Sequence, residues 1–202
     1  SLKWGVWMDG NEINGTWDEY LFSVATDATG NVYCGGATNN QLSRSYIGSA
    51  IFGYDSTYND PGTSGNGNNR DGIIYEIKSD GTALLKVTYF GSTSPDAIYG
   101  LSLSPDYSTV FVCGYCSGNI PSGTTAAFDG TRNNNDGFVA VFNAGLTTLQ
   151  YSTYLGGSSN SSGDRMVTIR AINNTDYVVG GRVNGALPTS TPNYILNAAD
   201  AT

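Results

Sequence analysis

A pair of segments recurs at a fixed spacing, and that repetition constrains the fold more than any other feature. "DGIIYEI", opening at Asp71, returns as "DGFVAVF" at Asp136, while Leu84, Tyr89 and Gly91 of "ALLKVTYFG" return as Leu149, Tyr154 and Gly156 of "TLQYSTYLG", all 65 residues later. Two consecutive segments and the turn between them are copied without a gap, so one structural unit must be laid down more than once. A further element occurs three times, as "NVYCGG" (31–36), "TVFVCG" (109–114) and "DYVVGG" (176–181). Each copy is preceded by a strand-like segment that opens after an aspartate, Asp18, Asp96 or Asp164. The first unit then reads as four strands, "LFSVATD", "NVYCGG", "DGIIYEI" and "ALLKVTYFG", and the second as "IYGLSLS", "TVFVCG", "DGFVAVF" and "TLQYSTYLG". The third supplies "MVTIRAI" and "DYVVGG".

No stretch carries apolar residues at sustained helical spacing, and 27 Gly, 14 Tyr and 13% charged residues suit short strands joined by turns. The expected class is all-β. Four short strands per unit of about 65 to 80 residues is the pattern of a β-propeller blade, enlarged from the usual ~40–50. The units divide as 11–92, 93–158 and 159–202, the last being half a blade. "LKWGVWMDG" aligns with the fourth strand, Leu2 with Leu84 and Leu149 and Trp7 with Tyr89 and Tyr154, so residues 1–10 read as the last strand of a preceding blade. Propellers close with about four to eight blades, and open ones leave unpaired edges. The expectation is a partial propeller, a portion of a longer repeat protein or one completed by another chain.

Charge and composition narrow the function. A net charge of −8, with nine Lys plus Arg scattered singly, repels a polyphosphate backbone and an anionic bilayer surface, so neither nucleic acid nor membrane insertion is expected. No apolar run approaches the roughly 20 residues that span a bilayer. The chain has no His, which removes Ser-His-Asp and Cys-His catalysis and the commonest metal sites. The repeated aspartates read as turn caps, and no catalytic residue is assigned; the expectation is a protein that is not an enzyme. Three cysteines, Cys34, Cys113 and Cys116, cannot all pair within one molecule. Buried packing is one reading of them, and a local disulfide or metal role for "CGYC" is the other.

"LQYSTYLGGSS", "GDRMVTI", "DYVVGGRVNGALPTSTPNY" and "NNDGFVAVFNAGLTTLQYSTYLGG" together resemble the SBBP-type β-propeller repeat over nearly the whole chain. "LKWGVWMDG" is similar to a variant found in large secreted or surface proteins of Bacteroidetes that use type IX secretion. The resemblance implies a secreted, cell-surface location and a non-catalytic propeller module acting as a structural, adhesion or protein-binding platform. The alternatives are a carbohydrate-binding propeller and an accessory domain of an exported hydrolase. The first copy departs from the pattern, with a long insertion in place of the Pro-Thr segment.

The loops between second and third strands, 37–70 and 115–135, are much longer than the other turns, which would concentrate elaboration on one face of the module. Loops on a rigid scaffold commonly carry binding, so this face is expected to meet a protein or surface glycan; the alternative is that the loops only cover the blade ends. Trp17, Tyr46, Tyr54 and Tyr58 are candidate stacking residues, and Arg70 and Arg132 complete the candidate set. Closely spaced oxygen ligands make Asp60, Asp71, Asp129 and Asp136 possible calcium carboxylates, although neither loop has the D-x-[DN]-x-[DN]-G order and turn formation is the stronger reading. No cofactor is otherwise called for. Asn14, Asn160 and Asn173 are formal N-glycosylation acceptors, and "DST" at Asp55 is similar to an O-glycosylation motif.

Overall fold

The structure is a computed structural model, described here for residues 3–6, 19–42, 48–59, 70–157 and 163–186. The described residues form eleven strands: β1 (Glu19–Thr26), β2 (Val32–Thr38), β3 (Ile51–Phe52), β4 (Asp71–Ile77), β5 (Leu84–Phe90), β6 (Asp96–Leu103), β7 (Thr109–Cys116), β8 (Asp136–Asn143), β9 (Leu149–Leu155), β10 (Arg165–Ala171) and β11 (Tyr177–Arg182). They make an all-β molecule of three sheets, ordered β1-β2-β4-β5-β3, β6-β7-β8-β9 and β10-β11. Apart from the two-residue β3, which pairs in parallel with β5, every pairing is antiparallel. The two copied segments of the sequence are β4-β5 and β8-β9, the third and fourth strands of equivalent meanders.

Short polar side chains close the tight turns at one end of these sheets. Asp27 Oδ1 accepts the amides of Thr29 and Asn31, Asp106 Oδ1 that of Ser108, Asn143 Oδ1 those of Thr147 and Thr148, and Asn173 Oδ1 those of Thr175 and Asp176. Each carboxylate or amide replaces a backbone acceptor that a two- to five-residue connection cannot supply itself. Although desolvation pushes the Asp27 carboxyl up, the hydrogen bonds from Thr29 and Asn31 together hold it below its usual range.

Burial is two-sided. Tyr33, Ile74 and Phe90 of the first sheet pack against Ile98, Val110, Val112, Phe138 and Phe142 of the second. On the other face of the second sheet, Phe111, Cys113, Val139 and Val141 pack with Met166 and Ile169 of β10. A third cluster, Cys34, Ile73, Tyr75, Val87 and Tyr89, covers the far face of the first sheet and is closed by Leu42 and Ala50. Phe90 is central, with ring centroids 5.1 Å from Phe138 and 5.6 Å from Phe142. Burying each such ring contributes about 1.5–3 kcal/mol, so the sheets are held face to face by their apolar sides.

The first strands carry the closest repeat in geometry. Each is bulged at one site, between Leu21 and Ser23, Ile98 and Gly100, and Met166 and Thr168. The bulge leaves Phe22, Tyr99 or Val167 unpaired and tilts the strand toward its partner. The neighbouring strand answers with glycine. A Cβ on Gly36 would lie 1.8 Å from the Tyr20 carbonyl oxygen, on Gly114 1.9 Å from that of Ala97, and on Gly181 2.2 Å from that of Arg165. The recurrent final glycine of "YCGG", "FVCG" and "VVGG" is therefore required by a close backbone approach. β6 packs on β1, β2 and β4, and β10 packs on β6, β7 and β8, so the first strand of each sheet is the one that meets the sheet before it.

Cys34, Cys113 and Cys116 are free and buried. Cys113 and Cys116 lie three residues apart on β7 and face opposite sides, toward the third and first sheets respectively, which excludes the local disulfide reading of "CGYC". Burial pushes the Cys34 thiol up to about 11 and the Cys113 thiol up to about 12. These are packing residues.

Candidate binding site

The two long loops are wired alike. In the first, Asp55 N–H donates to Thr88 Oγ1, the Asp55 carbonyl accepts from Tyr89 N, and Asp55 Oδ1 accepts from Thr57 N at 2.8 Å. In the second, Asp129 N–H donates to Thr153 Oγ1, its carbonyl accepts from Tyr154 N, and its Oδ1 accepts from Thr131 N at 2.8 Å. Leu42 N and Ile120 N each donate to the hydroxyl of the same tyrosines, Tyr89 and Tyr154. Asn59 N donates to Asp71 Oδ2, and Asn133 N to Asp136 Oδ2. "YDSTYN" and "FDGTRN" are thus one motif at a spacing of 74 rather than 65, a match hidden by the difference in loop length.

The motif has a structural task. Residues 51–55 and 124–129 run beside β5 and β9 and bond their outer edges, where a bare row of amides and carbonyls would otherwise invite pairing with another chain. The first loop even reaches the opposite end of the molecule, where Tyr54 N donates to the Leu146 carbonyl at 2.6 Å in the β8–β9 turn. The expected concentration of all loop elaboration on one face is corrected accordingly: much of it lies along the outer edge.

Most candidate residues are absorbed by this wiring. Tyr54 packs edge-on to Phe142 at 6.0 Å and Tyr58 edge-on to Tyr89 at 6.4 Å, so both serve as loop anchors. Arg132 Nε donates to Asn119 Oδ1 within its own loop. Asp129 caps its turn, and a cavity of about 270 Å³ beside it is lined by the groups that tie the loop to β9. Asp71 and Asp136 are buried, and among the described residues no three His, Cys, Asp or Glu side chains converge as a metal site requires. Trp17, Tyr46 and Asp60 lie outside the described residues.

The repeat aspartates clamp the passage from one sheet to the next. Asp96 accepts Ser92 N at 2.5 Å and Ser117 N at 3.3 Å, and Asp164 accepts Gly157 N at 2.7 Å and Asn184 N at 2.6 Å. Each joins its own sheet's second strand to the turn arriving from the preceding sheet. The glycine ending "YFG" and "YLG" makes room for the aspartate that opens the third strand: a Cβ on Gly91 would lie 2.9 Å from Asp71 Oδ1, and 2.6 Å from Asp96 Oδ2, and one on Gly156 2.1 Å from Asp136 Oδ1. Asp136 Oδ1 is buried without a hydrogen-bond partner. Burial, with Asp164 and Asp129 nearby, holds the Asp136 carboxyl above its ordinary value against the opposing Asn133 amide.

Among the described candidates, Arg70 stands outside this repeated wiring. Its guanidinium lies over the Tyr20 ring at 4.3 Å, and its Nε is buried without a hydrogen-bond partner. No described carboxylate forms an ion pair with it; the ion pairs among the described residues are Lys78–Asp80 and Lys86–Glu76. Arg70 lines a cavity of about 360 Å³ with Pro95, Asp96, Ala97, Tyr99 and Tyr115, at the end of the molecule where the long loops begin. Tyr20 stacks on Phe22 at 5.9 Å, and Phe22 meets Tyr99 edge-on at 5.1 Å, continuing the aromatic surface across both sheets. Tyr20, Tyr99 and Tyr115 were not legible as site residues because nothing in the sequence links three strand positions so far apart.

The equivalent place between the second and third sheets has different chemistry. By strand register, Arg70 corresponds to Asn135, Tyr20 to Ala97, Tyr99 to Val167 and Tyr115 to Arg182. The second junction has a cation, Arg182, in place of Tyr115, so Arg70 and the aromatic walls are combined at the first junction only. No protein-family model matches the chain, and comparison with curated proteins likewise gives no match. Among the described residues no helix is long and apolar enough to cross a membrane.

Proposed function

We propose that the chain forms successive blades of a β-propeller in a secreted or cell-surface protein, and serves there as a non-catalytic platform for a partner. The observation that carries the reading is the repeated sheet-to-sheet junction: the same bulge in β1, β6 and β10, the same glycine opposite it, and the same aspartate clamp in Asp96 and Asp164. A junction that repeats relates each sheet to the next by one operation, which supports a ring of blades. The missing histidines and the use of Asp96 and Asp164 on backbone amides support a scaffold role over a catalytic one. Surface location and lack of turnover are tested together. Protease applied to intact cells should remove the protein without lysis, and the purified chain should release no product from polysaccharides. Protection until lysis, or turnover abolished by Asp96→Asn, would contradict the reading.

A second reading, carbohydrate binding, is favoured by the Arg70 cavity. Tyrosines beside a guanidinium with an unused N–H offer both a stacking face and a directed donor.

A further inference from the structure

We propose that the cavity between the first two sheets is a binding site for a neutral saccharide, with Arg70 donating to adjacent sugar hydroxyl oxygens and Tyr99 and Tyr115 supplying apolar walls. The inference rests on the carbohydrate reading and names its site and ligand class. Its first ground is the contrast between junctions. Groups present at both junctions maintain the sheets, whereas Arg70, Tyr20, Tyr99 and Tyr115 are combined at one only.

The second ground is the state of Arg70. The guanidinium carbon lies 4.3 Å from the Tyr20 ring centroid, no described carboxylate pairs with it, and its terminal N–H groups are the donors that a ligand in the cavity would meet. A cavity of about 360 Å³ is large enough for a sugar ring and small enough to leave the rest of a chain outside.

Local charge decides between neutral and acidic sugars. Asp96 lines the cavity beside Arg70, Asp71 follows Arg70 directly and meets Asp96 across Gly91, and the chain carries −8 overall. One cation among these acids leaves no excess positive charge for a carboxylate ligand, while the hydroxyls of a neutral sugar still accept from the guanidinium. Tyr115 is already engaged through its hydroxyl with Ser117 Oγ, which fixes the ring and leaves its apolar body as wall.

The test is titration of the ¹⁵N-labelled protein with cellohexaose, mannohexaose, laminarihexaose and hexagalacturonate, followed by amide shifts. At least one neutral hexaose should move the amides of residues 97–99 and 115. Arg70→Gln and Tyr99→Ala should each weaken that binding by at least about tenfold, the scale of a central contact residue. Arg70→Lys, which lacks the planar fork, should not restore it. Variant spectra that keep the remote amides of β8 and β9 in place establish that the fold survives. Failure of every neutral hexaose to bind, binding of hexagalacturonate alone, or binding that survives both variants would each overturn the proposal. None of these results bears on surface location or blade architecture, so the platform reading stands or falls separately.

Discussion

At the scale of single residues, carboxylates do the structural work that the sequence left open between caps and ligands. Asp55 and Asp129 cap loop turns, Asp96 and Asp164 clamp sheet junctions, and Asp136 is buried with one oxygen unpartnered. Asp136 yields a test with a defined sign. Its carboxyl titrates above the ordinary range when folded, so the folded chain holds this proton more tightly than the unfolded chain does. The destabilisation it causes is absent below the unfolded value, grows as pH rises from the unfolded toward the folded value, and is complete above the latter. Asp136→Asn should flatten the decline in stability across that interval and raise stability at pH 7 by about 1 kcal/mol, because an amide oxygen can still accept from Asn133 without carrying a charge. Urea unfolding at several pH values measures both effects, and an unchanged pH slope would show that Asp136 is not the group responsible. The aspartates were visible as repeats in sequence, but their partners were not, since Asp164 reaches Asn184 and Asp71 reaches Asn59 across loops whose course no local pattern encodes.

At the scale of elements, strand positions were highly legible and edges were not. "DGIIYEI" is β4 residue for residue, and the copied "DGFVAVF" lies wholly within β8, because β-branched and aromatic runs bounded by glycine and aspartate suit a strand buried on both faces. The bulges in β1, β6 and β10 were invisible: an extra residue shifts register without altering composition. Their signature was the glycine opposite, which the structure shows accommodating a carbonyl. Gly114→Ala should therefore cost about 3 kcal/mol, since neither the Ala97 carbonyl nor the Phe138 ring can retreat from a fully packed β7. Thermal unfolding of this variant beside Gly130→Ala, where a Cβ would meet open space, makes the comparison; equal losses would refute the close-approach explanation. The motif shared by residues 54–59 and 128–133 was missed for a related reason, because unequal loop lengths changed its spacing.

At the scale of the whole molecule, three sheets stack through apolar faces, with first strands adjacent and outer strands covered by their own loops. The all-β class follows directly from composition and the lack of helical spacing, whereas the relation between units depends on junctions built from residues far apart in sequence. That relation is the central claim: one bulge, one glycine and one aspartate clamp set a constant step from sheet to sheet. The candidate site fits the same logic, lying where one junction departs from the common chemistry. A crystal structure of the protein measures the step directly. The first-to-second and second-to-third sheet transformations should be the same rotation about one axis running beside β1, β6 and β10. Two unlike rotations, or a pure translation from sheet to sheet, would contradict the propeller account.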